Sequence, residues 1–104
     1  MTTEAMRQER ITWLRYEFAE RLERCERGEL TPRQLAENAT QVTSQDELDR
    51  LADELLQHTF WAMHHLVHRP ACWAPSGSEI AYLRRCLRDE DLFDPSLIES
   101  RLSE

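Results

Sequence analysis

A chain of 104 residues and 12.4 kDa has room for one domain and no second core. Forty per cent of it is hydrophobic, 32% is charged and the net charge is −7, a composition too apolar for a disordered tail. Two Gly and four Pro are too few for the tight turns of an all-β sandwich, and 13 Arg with no Lys exclude any chemistry that needs a lysine, such as a Schiff base or a lysine-bearing phosphate loop.

The aliphatic residues favour helix. Leu occurs 14 times and Ala nine, against five Ile and Val together, and unbranched side chains suit the helix where branched ones suit the pleated sheet. The first predicted helix starts at Thr2 or Thr3 and runs to Arg27, with Gly28 as its left-handed cap. Its apolar stripe is Ile11, Leu14, Phe18, Leu22 and Cys25, and Glu17–Arg21, Glu20–Arg24 and Glu23–Arg27 are spaced to pair at i, i+4. Met6 and Trp13 fall nearly opposite that stripe, among charges. Thr31-Pro32-Arg33-Gln34 reads as a capping box with proline at the first helical position, opening a short helix over about 32–41 that buries Leu35 and Ala39.

Ser44-Gln45-Asp46-Glu47 is a second capping box. The helix it opens is expected to run unbroken to about Arg69, where Pro70 stops it. Leu48, Leu51, Leu55, Leu56, Thr59, Met63 and their neighbours give it one broad apolar face. The segment 70–77 is irregular; Ser76 or Ser78 then caps a helix to about Arg88 with Ile80, Leu83 and Leu87 inward, and Asp94-Pro95 opens a short last helix. The expected fold is all-α, a five-helix up-and-down bundle with two long helices.

The three cysteines, Cys25, Cys72 and Cys86, are an odd number without framework spacing. The first ten residues lack a basic-then-apolar pattern, and no stretch approaches the ~20 apolar residues that span a bilayer. A reducing cytoplasm, free thiols and no membrane are the expectation. Charge is uneven: residues 44–57 sum to −4 and 89–104 to −5, whereas 58–88 sum to +3 and hold all four histidines. A helix-turn-helix drawn from 32–41 and the helix after Ser44 would present Asp46, Glu47, Asp49 and Asp53 to phosphates, which excludes DNA reading by that route.

The stretch Phe60–Trp73, FWAMHHLVHRPACW, is the sharpest chemical feature. His64 and His68 share a helix face at i, i+4, and Cys72 and Cys86 could complete a tetrahedral zinc set. No Cys-x-x-Cys or His-Glu-x-x-His pair accompanies them, and polar helix-face histidines account for the same residues. An axial-histidine haem site would need a pocket that nothing here specifies. Ser76-Gly77-Ser78 near Arg69, Arg84 and Arg85 fits ordinary capping better than anion binding, and a Cys–His pair of Cys72 or Cys86 with His68 lacks any surrounding signature. No enzyme activity and no cofactor are expected.

Aromatic placement points to binding. Trp13, Trp61 and Trp73 all fall outside the regular apolar stripes, and Trp, Tyr and Arg dominate interface hot spots. The expected partner-contact residues are Met6, Trp13, Trp61, His65, His68, Arg69 and Trp73, on a protein that covers a partner surface as a regulator, inhibitor, immunity-type or assembly factor. Met6 and Trp13, seven residues apart, could also form the seam of a homodimer. The zinc corner is the alternative reading.

Overall fold

A computed structural model describes residues 2–65 and 77–94. It is all-α: α1 (Thr2–Glu26), α2 (Pro32–Val42), α3 (Gln45–Leu51), α4 (Glu54–His65) and α5 (Gly77–Leu87), with no strand among the described residues. The α1 helix rises ~37 Å at 1.5 Å per residue, most of the 43 Å long axis of the molecule. It ends as its sequence requires: Gly28 takes φ 81°, and the N–H groups of Gly28 and Glu29 donate to Cys25 and Arg24 carbonyls. Thr31 caps α2 through a reciprocal capping box with Gln34.

The core is the α1 stripe closed by the other helices. Ile11, Leu14, Phe18, Ala19 and Leu22 are buried, and Leu35, Ala39, Leu48, Leu56, Met63 and Leu83 meet them. The α1 helix packs on α2, α4 and α5, α2 also packs on α4, and α4 contacts both α3 and α5. No described helix is long and apolar enough to cross a membrane.

Two expectations are corrected. The single helix from Ser44 to about Arg69 is two helices within the described residues, broken where Ala52 takes φ 55° and ψ 41°. At the break, Arg7 Nε and Nη2 both donate to the Leu51 carbonyl, at 3.1 and 2.6 Å, the acceptor that a continuous helix gives to the Leu55 N–H. Asp53 then restarts the helix as a cap, accepting from the Leu56 N–H at 3.0 Å. The helix expected after Asp94-Pro95 lies outside the described residues from Pro95 onward.

The second correction concerns charge pairing along α1. Glu17–Arg21 forms at i, i+4, but Glu20 and Glu23 turn to Arg88 of the α5 end, and Arg24 and Arg27 turn to Glu29. An exposed i, i+4 pair contributes only a few tenths of a kcal/mol, so one guanidinium bridging two carboxylates across helices outcompetes it.

Candidate functional site

The outer side of α1 presents three exposed large hydrophobic side chains, Met6, Trp13 and Tyr16, on the side away from the core stripe. Trp13 keeps 41% of its surface and Tyr16 52%. Neither ring is loose. The Arg10 guanidinium lies 4.7 Å from the Trp13 ring centroid, and the Arg88 guanidinium 5.3 Å from that of Tyr16, both within cation–π range.

Each of these arginines is fixed from behind. Arg10 donates from Nε and Nη2 to both oxygens of Glu47, at 2.7 and 2.9 Å, and from Nη2 to the Val42 carbonyl at 2.8 Å. Thr43 adds a hydroxyl donor to the same carboxylate. The Arg10 hydrogen bond, followed by that of Thr43, holds the Glu47 carboxyl below its ordinary value against the opposing effect of burial. Glu47 thereby leaves its expected capping-box role half filled: Ser44 Oγ accepts the Glu47 N–H, while the Glu47 side chain serves Arg10 and Thr43. Arg88 donates to Glu23 through Nε and Nη2 and to Glu20 through Nη2. Its pull holds the Glu23 carboxyl low. The result is a pair of aromatic rings with pre-placed cations, built from α1, the start of α3 and the end of α5.

Beside Tyr16 lies a groove of about 540 Å³ lined by Arg7, Ile11, Arg15, Tyr16, Asp53 and Asp89, among others. Each arginine along it is paired with a carboxylate. Arg15 donates to Asp53 at 2.8 Å, Arg7 pairs with Glu4, and Arg88 is held by Glu20 and Glu23. Arg15 Nε is buried there without a hydrogen-bond partner.

The histidine corner divides. Trp61 is exposed at 50%, and its ring lies 4.6 Å from that of His65. His65 itself is buried, which corrects its placement on an open contact face: although it sits off the Leu55–Met63 stripe, the rings of Trp61 and His64 pack on it. His68, Arg69, Cys72 and Trp73 lie outside the described residues. Of the expected zinc set only His64 and Cys86 are described. Cys86 is a core residue, and burial pushes its thiol above the ordinary range. Among the described residues no group of three or more His, Cys, Asp or Glu is placed to hold a metal ion.

Tyr16, Arg10 and Arg88 were absent from the expected contact set. Tyr16 was within reach, since it follows Trp13 by three residues and so shares its side of α1. Arg88 was not, because its partners Glu20 and Glu23 lie 68 and 65 residues away. Comparison with protein-family models, with curated proteins and with solved structures finds no match to this chain.

Proposed function

We propose that this chain is a small cytoplasmic interaction protein that covers the surface of a protein partner with the outer face of α1. One observation carries the reading: Trp13 and Tyr16 are exposed, yet each is held under an arginine already fixed by carboxylates. Rigid aromatic and Arg anchors make the strongest interface contacts, and fixing them beforehand lowers the entropy lost on binding. The net charge of −7 adds long-range attraction toward a basic partner. Cys25 and Cys86, both free thiols, fit a reducing compartment. No catalytic step and no cofactor belong to this reading. The helices follow an up-and-down path, and a second copy of the chain is an available occupant of the same face through the Met6–Trp13 seam.

The test compares wild type, a Trp13→Ala/Tyr16→Ala variant and a Glu37→Ala control on the exposed side of α2. All three should give the same helical circular dichroism. Wild type and control should retain one partner stoichiometrically in quantitative affinity capture, or run as a dimer in light scattering, and the double variant should do neither. Equal retention and equal mass for all three would refute the assignment of this face.

A further inference from the structure

The α3–α4 joint contradicts its own sequence. Leu48, Leu51, Leu55, Thr59 and Met63 are all buried at the 3- and 4-residue spacing of one uninterrupted helix face, and the residue at the break is alanine, the strongest helix former. Ala52 nevertheless takes φ 55°, the left-handed region that glycine occupies freely and a β-carbon resists. Unlike Asn or Asp, alanine has no side-chain acceptor to offset that conformation.

What holds the break comes from α1. A continuous helix would give the Leu51 carbonyl to the Leu55 N–H and the Ala52 carbonyl to the Leu56 N–H. In the bent form Arg7 occupies the first of these acceptors with two donors, and the Asp53 carboxylate serves the Leu56 N–H instead. Arg15 fixes that carboxylate at 2.8 Å. The Gln57 N–H already donates to the Asp53 carbonyl, so the helical ladder is in place immediately beyond the joint. Straightening trades the Arg7 and Asp53 bonds for two backbone bonds of the helical ladder, and it removes the left-handed alanine.

We infer that the α3–α4 joint is a two-state hinge, held bent by Arg7 and Arg15 and closing into one continuous helix over residues 45–65 when they let go. Straightening removes Glu47 from Arg10, so the guanidinium over Trp13 loses its carboxylate anchor and keeps the Val42 carbonyl alone. That last consequence rests on the partner reading; the hinge itself does not, and its test needs no partner.

The hinge is read by solution NMR on the intact chain. Wild type should lack the Hα–HN contacts Leu51–Glu54 and Ala52–Leu55 that mark a continuous helix. Arg7→Ala/Arg15→Ala should gain both contacts, and adding Ala52→Gly to that variant should remove them again. Asp53→Ala, which deletes the cap and the Arg15 acceptor together, should gain them by a separate route. A break that persists in the Arg7/Arg15 variant and in Asp53→Ala overturns the inference. So does unfolding of both variants, since the straight form is required to stay folded. Failure here leaves the α1 contact face standing, and failure of partner capture leaves the hinge standing.

Discussion

Ala52 sits in a backbone region that costs an L-residue about 1–2 kcal/mol. Ala52→Gly should therefore stabilise the fold by roughly 0.5–1 kcal/mol, less than the full relief because glycine also loosens the unfolded chain. The gain should appear as a rise of a few degrees in Tm by calorimetry; an unchanged or lower Tm would contradict the account of the break. Cys86 gives a second test at the same scale. Buried, with its thiol pushed up by desolvation, it should react with iodoacetamide at pH 8 only when the fold opens, and more slowly than half-buried Cys25. Site-resolved mass spectrometry would separate the two rates, and faster labelling of Cys86 would contradict its core position. Single residues were unevenly legible. Met6 and Trp13 could be read as exposed because a helical wheel places them opposite an unambiguous stripe. His65 could not, because it is buried although it lies off the apolar stripe of its own helix.

Between elements, the arginines bridging α1 to α3 and α5 set the acid limb of stability. Glu47 and Glu23 both have folded values below the ordinary 4.5, chiefly through hydrogen bonds from Arg10 and Arg88. A carboxylate with a lowered folded value binds fewer protons folded than unfolded, so its contribution is complete above 4.5 and is lost as pH falls through the lowered value. Urea unfolding should thus weaken below about pH 5, and Arg88→Ala should flatten that dependence while costing about 1 kcal/mol near neutrality, the scale of partly exposed pairs. An acid limb identical to wild type would contradict the role given to Arg88. At this scale the sequence was most legible where helix ends are local: the Gly28 cap, the Thr31 box and the Ser44 cap need only their own neighbours. The break at Ala52 was hidden, since Arg7 lies 44 residues from the carbonyl it captures.

Across the described residues, one apolar centre joins the helices. Phe18 is fully buried where α1 meets the surrounding helices, and Phe18→Ala should cost about 3–5 kcal/mol. Against a total of roughly 5–15 kcal/mol for a domain of this size, that leaves a marginal fold, measurable as a large fall in the urea midpoint. Trp13 and Tyr16 should behave oppositely, because truncating an exposed side chain away from the core shifts stability by about 0.5 kcal/mol or less. The all-α class followed from composition and periodicity. The contact face was only half readable, because its cations reach α1's rings through pairings set by the tertiary fold. That a fixed α1 face is the working surface is the central claim, and site-specific photo-crosslinking in the living source cell tests it most directly. A benzophenone amino acid replacing Tyr16 should give one discrete adduct, with a basic partner or a second copy of this chain, and the same group replacing Glu37 on α2 should give none. Adducts from Glu37 and none from Tyr16 would contradict it.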